Sequence, residues 1–374
     1  TRSENLNLRV NIEPIRDFRI ELSGNRTFAR NFESFYRYDP DDDSFVDFNP
    51  METGNLNISF LSWSTAFETI NADNGFNSEA YNTFLENRFA VAEQLALDRD
   101  GVVVIDDSTG FPIGYGPTQQ DVLIPAFLAA YQGKDINGYS TQTIRNIPLP
   151  NWRITYDGLM KIPWIRQTFR TVTLSHAYRS TYTVGNFQTD LRTQSDIDGI
   201  DPGGNYYSEY QIQTVSIREQ FSPLIKVDVT LNNSLTSRIE MKRDRTMNLS
   251  FANNQITEMA GQEYIFGVGY RFKEVPFRLK SGGRTRRIVS DLNVQADVSI
   301  RQNRTLIRKI VEGDVIPTGG QSLIKIQLSA DYVISRRFNV RFFFDRVMTN
   351  YVVSTAFPTA NTNFGIEMRF TLGQ

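Results

Sequence analysis

Apolar and polar residues alternate along most of the chain. Leu6, Leu8, Val10 and Ile12 interleave with Asn5, Asn7, Arg9 and Asn11, and Phe18, Ile20 and Leu22 with Arg19, Glu21 and Ser23. Further runs centre on Ile58, Leu174, Val227, the stretch from Leu235 to Phe251, Phe266, Val294, Leu328, Phe342 and Ile366. A period of two predicts strands with one apolar and one polar face. Eleven strands are expected on this count. Several are long: alternation persists from Ile288 through Ile300 and from Ile324 through Ile334.

From about Thr65 to Thr168 the alternation fades. Glu79 to Asp98 reads as a helix with Tyr81, Phe84, Leu85, Ala92, Leu95 and Ala96 on one face and Gly101 just past its end. A second helix is expected over Asp121 to Gln132, with Thr118 as N-cap and Gly133 as stop. Trp152, Ile154 and Tyr156 alternate briefly.

Two architectures share a period of two: a sandwich whose apolar faces meet, and an outer-membrane barrel whose apolar face meets lipid. Sandwich strands run about 5–6 residues, tilted membrane strands about 9–11. The long runs, with aromatics such as Tyr264, Tyr270, Tyr332, Tyr351 and Phe370 toward segment ends and almost no charge on the apolar face, favour the barrel. The fold class expected is all-β, an antiparallel transmembrane β-barrel segment, part of a larger barrel, with a helical insertion.

Connections read as alternately short and long. Tight ones fall at Glu13-Pro14-Ile15-Arg16, Asn232-Asn233 and Ser335-Arg336-Arg337; long polar ones at Tyr38 to Thr53, Gln188 to Asn205 and Glu312 to Gly320. Barrels have short periplasmic turns and long external loops, and single-chain bacterial barrels have even strand numbers. An odd count starting from outside leads to the expectation of a C-terminal part of a larger barrel, mature, cleaved or a piece of something longer. The organisation expected is barrel strands over 1–64, a periplasmic or lumenal insertion over 65–168, and barrel strands over 169–374 with the C-terminus in the periplasm.

The chain has 374 residues with 40 basic and 42 acidic side chains, so nothing marks it as a nucleic-acid binder. There are 27 Phe and 16 Tyr; of the basic residues only 8 are Lys, and the Arg excess with much Asn suggests structured polar surfaces. Without cysteine there is no disulfide framework, thiolate metal site or cysteine nucleophile. The one histidine, His176, shares parity with Leu174 and Tyr178 and has no second imidazole for a metal or a hydrolytic triad. Asp196, Asp198 and Asp201 suggest a calcium loop, but the glycine is misplaced and no glutamate completes it. Those residues, and Asp39, Asp41, Asp42 and Asp43, are expected to be solvated loops. Gly267-Val268-Gly269 lies within a strand and is expected to let something pack against the inner wall. No catalytic, cofactor or metal residues are expected, and no enzymatic activity.

The functional candidates are the charges of the polar face: Arg9, Arg19, Glu21, Asp291, Asp297, Arg301, Lys325, Asp331, Arg341, Asp345, Glu367 and Arg369. Interleaved signs suit a wide hydrated passage better than a filter for one ion charge.

Segments of the chain resemble the SprA/Sov family, giant outer-membrane proteins of the Bacteroidetes type 9 secretion system. They are Asn151-Trp152-Arg153-Ile154-Thr155-Tyr156-Asp157-Gly158-Leu159, Leu174-Ser175-His176-Ala177-Tyr178-Arg179-Ser180 and Glu219-Gln220-Phe221-Ser222-Pro223-Leu224-Ile225, with Ser250-Phe251-Ala252-Asn253-Asn254-Gln255 and Gly267-Val268-Gly269-Tyr270-Arg271-Phe272. The similarity spans nearly the whole chain, is specific only in combination, and matches the family's C-terminal part. The resemblance implies a translocon passing folded cargo with a C-terminal secretion signal, and, in gliding species, export of motility adhesins. It also implies partners: a PorV-like shuttle barrel, a periplasmic plug, outer-membrane lipid and the remainder of the barrel. The competing expectations are a TonB-dependent-like nutrient transporter, for which no plug or coupling box is visible, and a β-sandwich surface adhesin.

Overall fold

The computed structural model describes residues 1–371 except 42, 196–198, 282–283, 336 and 354–355. Strand accounts for 61% of the chain and helix for 14%. The strands are β1 (Arg2–Ile15), β2 (Phe18–Asp39), β3 (Ser44–Ser59), β4 (Asn151–Tyr156), β5 (Phe169–Thr189), β6 (Tyr210–Ile212), β7 (Thr214–Leu231), β8 (Leu235–Ser250), β9 (Gln255–Ser281), β10 (Arg284–Lys309), β11 (Val315–Ser335), β12 (Phe338–Tyr351) and β13 (Thr359–Phe370). Each of the eleven sequence positions taken as strand centres lies in a different strand, and those strands follow one another across a single antiparallel sheet in the order β1-β2-β3-β5-β7-β8-β9-β10-β11-β12-β13. Neighbouring strands in sequence pair because most of their connections are short. Among the described residues β1 and β13 are not joined, so the sheet is an open wall.

β4 explains how a long insertion interrupts that wall without reversing it. β3 pairs with the upper part of β2, ending at Arg26↔Ile58, and β4 takes over lower down, from Ser23↔Asn151 to Phe18↔Tyr156. On the other side β5 pairs with both, Ser59↔Thr181 above and Trp152↔Tyr178 below. β3 and β4 are thus two halves of one strand. Ser59 stitches the break: its Oγ accepts from the Asn25 amide at 2.9 Å and from Asn151 Nδ2 at 3.1 Å, and its carbonyl from the Leu149 amide. The polar side chains satisfy backbone groups that an uninterrupted ladder would have paired. The segment therefore rejoins the sheet at Asn151, not at Phe169.

The insertion carries α1 (Glu79–Asp100) and α2 (Gln120–Gln132). α1 begins at Ser78, whose hydroxyl accepts from the Tyr81 amide, and stops at Gly101, which adopts the left-handed conformation (φ 68°). α2 is capped at Gln119 rather than Thr118, without a side-chain bond, and ends at Gly133 (φ 65°) as expected. Every residue of α2 from Val122 to Tyr131 is buried. A helix apolar all round has to be covered on all sides. Here it lies within the core that α1 and the sheet form together, with Phe84 and Phe127 meeting edge to face at 6.3 Å.

Two of the expected long loops are strand. β2 and β3 continue through Tyr38↔Phe45 and Asp39↔Ser44, where Tyr36 stacks on Phe45 at 5.4 Å; aromatic cross-strand pairs of this kind extend a ladder into polar sequence. β11 starts at Val315, leaving a short turn before it. The acidic position Asp42, Asp196 and Asp198 of the suggested calcium loop, Arg336 of one tight turn, and Leu372 at the end of the last alternation lie outside the described residues.

Candidate functional site

Direct pairing fixes which side chains share a face. One face carries Leu8, Ile20, Ile239, Phe266, Val298, Leu328, Phe342 and Ile366; the other carries the charged candidates. On the apolar face, pairing aligns the residues of β8 to β13 in level rows. The top row is Met241, Tyr264, Ile300, Ile324 and Met348; the lowest is Phe272, Leu292, Tyr332, Val340 and Met368. Tyrosines thus stand in both bounding rows. Leu328, Phe342, Ile326 and Phe344 lie on this one face of adjacent strands, not between two sheets, and Leu328 and Phe342 are 42% and 47% exposed. No sandwich core exists there to receive them. One charge, Arg346, interrupts the belt opposite Ile326.

The same face changes character toward the end opposite the tight turns. Phe28, Leu56, Val184, Val215, Leu249, Ile256 and Arg308 form a level row there, and all but Phe28 are buried. The helices of the insertion cover this row. This sets the position of the insertion on the sheet. It packs on the apolar face, at the end away from the tight turns, so it is neither beside the polar face nor at the tight-turn end. The apolar α2 needs an apolar surface, and the polar face offers none.

The polar face is hollowed. Shallow concavities of about 670 Å³ (Arg9, Glu21, Arg153 and Arg179 among its lining), 550 Å³ (Arg238, Gly267 and Asp297) and 380 Å³ (Asp297, Arg341, Asp345 and Glu367) open on it. The twelve candidates share this face, Asp291 at a bulge in β10. Most are paired: Arg9 with Glu21 and Arg19 with Asp157, each at 2.9 Å, Asp297 with Arg238 at 3.0 Å, Arg301 with Asp244 at 2.9 Å, and Asp331 with Arg341 at 3.9 Å. Arg271 holds Asp291, and Gln327 donates to Asp345 at 2.9 Å. Lys325, Glu367 and Arg369 form no ion pair among the described residues. Exposed pairs contribute roughly 0–1 kcal/mol each, so this lattice is not what holds the wall together. It keeps a charged surface wetted and neutral on average.

The glycines of β9 serve that lattice. Arg238, Gly267 and Asp297 stand side by side on β8, β9 and β10, and the Arg238–Asp297 pair closes over the glycine. A Cβ on Gly267 would collide with the Asp297 carboxylate, and one on Gly261 with Asp244 and Arg301, which pair in the same way across β9. The expected outside packing partner is replaced by charges of the neighbouring strands.

The alternation pattern missed a second set of charges, on the apolar face. Glu219 and Arg245 pair at 3.2 Å, and Glu258 and Arg308 at 3.1 Å, all buried. Ser62 Oγ and Tyr178 Oη donate to Glu219, and Arg245 donates to the Thr65 carbonyl and hydroxyl; Arg308 donates to the Phe76 carbonyl. These bonds dock the segment leading into α1 onto the wall. The signal was the parity of Arg243 and Arg245 with Ile239 and Met241 in β8, which contradicts an apolar face nearly free of charge.

His176 lies half-buried on the apolar face, with Nδ1 2.6 Å from the Leu224 carbonyl and rings of Trp152 and Phe221 near it. Asp201 accepts the amides of Gly203 and Asn205 in a turn. Among the described residues no group of three His, Asp or Glu side chains is arranged to hold a metal. No helix is long and apolar enough to cross a membrane, which says nothing of strands. Comparison with models of known protein families finds no match, and comparison with curated proteins finds none either.

Proposed function

We propose that this chain forms part of the wall of a transmembrane β-barrel in the bacterial outer membrane, and that the barrel is the protein-conducting translocon of the type 9 secretion system. One observation carries the barrel reading: a single sheet one face of which bears an exposed, row-aligned apolar belt bounded by tyrosines, while the opposite, hollowed face bears ion pairs of both signs. The belt matches a lipid-facing band, and a charged, hollowed wall matches a hydrated passage. The free edges at β1 and β13 are where the remainder of the barrel would pair. With the tight turns in the periplasm, the helical insertion stands outside the barrel on the cell-surface side.

The translocon reading rests on the resemblance to the SprA/Sov family. It brings the expected partners with it: cargo with a C-terminal secretion signal, a PorV-like shuttle barrel and a periplasmic plug. The chain performs no bond chemistry in this role; the wall contains and hydrates the passing protein. Depletion of the full-length protein, with export and nutrient uptake assayed together, is the test. Loss of export with intact uptake is expected; loss of uptake with intact export would make the barrel a nutrient transporter. Recovery as a dispersed monomer from a detergent-free wash would remove the membrane reading altogether.

A further inference from the structure

Between residues 67–76 and the sheet lies a half-open groove of about 570 Å³, on the apolar face immediately above the belt. Its floor is the row Arg243, Gln262, Gln302 and Ser322, with Arg304 and Gly320 one row higher; Phe67, Ile70 and Phe76 form its side. The row directly below is the top of the belt, Met241, Tyr264, Ile300 and Ile324. The groove therefore opens onto the apolar surface.

Its charge is unbalanced. Arg243, Arg245, Arg304 and Arg308 crowd this level against Glu219 and Glu258. Glu219 is taken by Arg245, Ser62 and Tyr178. Arg308 holds Glu258 through Oε2 at 3.1 Å; the other carboxylate oxygen forms an ion pair with Arg304 at 3.7 Å without a hydrogen bond, and Arg304 Nε is buried with no hydrogen-bond partner. The third nearby carboxylate, Glu68, accepts from Ser78 Oγ and the Ala80 amide at the start of α1. Arg243 has only a 3.5 Å bond to the Glu68 carbonyl and a place 5.3 Å from the centre of the Phe67 ring. Two guanidinium groups thus face a groove with donors to spare. An oxyanion with several acceptors is what such a fork takes.

We propose that this groove seats the phosphate headgroup of an outer-leaflet lipid, whose acyl chains lie along Tyr264 and Ile300. The proposal rests on the membrane reading above. Continuity with the belt selects a lipid over a free anion, because a small phosphate would leave the exposed rings of Phe67 and, one row below the groove, Tyr264 uncovered.

Native mass spectrometry of the detergent-extracted full-length protein tests it with three probes: dioleoyl phosphatidic acid, dioleoylglycerol and inorganic phosphate. Phosphatidic acid should be retained about tenfold better than dioleoylglycerol, and Arg243→Gln with Arg304→Gln should remove that preference. Arg341→Gln, on the polar face, should leave it intact. Arg243→Gln alone, checked for heat-modifiable gel mobility, should still weaken retention, so a folding defect at Arg304 cannot mask the result. Equal retention of both lipids, or displacement of phosphatidic acid by equimolar inorganic phosphate, would overturn the lipid seat. A protein that needs detergent but holds no lipid overturns this proposal alone; one that disperses without detergent overturns the membrane reading with it.

Discussion

Ile239 and Leu249 stand on the same strand, on the same face, yet one is 52% exposed and the other fully buried. The same contrast holds between Phe266 and Ile256 on β9. The residue types are alike, so the difference lies in what covers them. At the far end the chain supplies its own cover, α1 and α2. At the tight-turn end it supplies none, although the apolar rows run from β8 to the edge at β13. An exposed apolar surface of that extent marks an interaction site, and lipid is the cover proposed for a belt bounded by tyrosines. Between the two regions runs the level of Glu219, Arg243, Arg245 and Arg304, where the segment leading into α1 docks on the wall.

The sharpest break in the comparison should come from the self-covered end. Glu258→Ala would strand Arg308, which is fully buried, and should cost about 3–5 kcal/mol. Phe127→Ala would open a cavity between the helices and the sheet, with a similar loss of about 3–5 kcal/mol. Denaturant unfolding of the full-length protein, with limited proteolysis of the insertion, reads both. A cost under 1 kcal/mol for either would mean that the insertion is not docked as described.

At the uncovered end the expected effect is smaller and depends on the surroundings. Phe266→Arg should cost about 2–4 kcal/mol if the belt faces lipid, but stay within about 0.5 kcal/mol if it faces water. The arginine at 346 shows that the belt tolerates a charge near its upper rows, as a long side chain reaching the interface would allow. Phe266 stands in the same row as Arg346, so Phe266→Arg belongs with Leu328→Arg, one row lower, for a reading in the body of the belt. On the other face, Gly267→Val should separate Arg238 from Asp297 and cost about 1 kcal/mol or less, since the pair is partly solvated. A loss as large as that of Phe127→Ala would mean that something besides this pair packs on the glycine.

Period two made the strands of the wall legible: β10 alternates from Leu292 to Ile300 and its neighbours match it row by row, so the shared face of the charged candidates followed from parity. Long polar stretches were read as loops because polarity carries no period. In Tyr38 to Thr53 the rings of Tyr36, Tyr38 and Phe45 pair across strands whose other residues are polar or acidic, and local composition hides that. The split of β3 and β4 was not legible either, since pairing of Ser23 with Asn151 is a long-range event with no local mark. Nor was the face on which the insertion packs. The wholly apolar α2 required a cover, but its sequence does not say which surface provides it.

The covered region also carries a titrating group through which its stability can be read separately. Asp121 sits in the first turn of α2, where burial pushes its carboxyl above the ordinary carboxylate range, while hydrogen bonds from Ser208 and Gln120 pull it back. A raised pKa means that the folded state holds the proton more tightly than the unfolded chain does. The stabilisation from that proton is complete below the unfolded value of about 4 and is lost as pH rises through the folded value. At pH 8 the ionised carboxylate is a burden, eased only in part by the positive end of the helix. Asp121→Asn should therefore raise the stability of the insertion at pH 8 by about 1 kcal/mol or less, with the gain shrinking as pH falls. Protease susceptibility of α1 and α2 across that range reads it without disturbing the uncovered end. A gain that stays constant with pH would assign the effect to helix capping rather than to the proton, and an Asn variant weaker at pH 8 would mean that the Ser208 and Gln120 bonds outweigh burial.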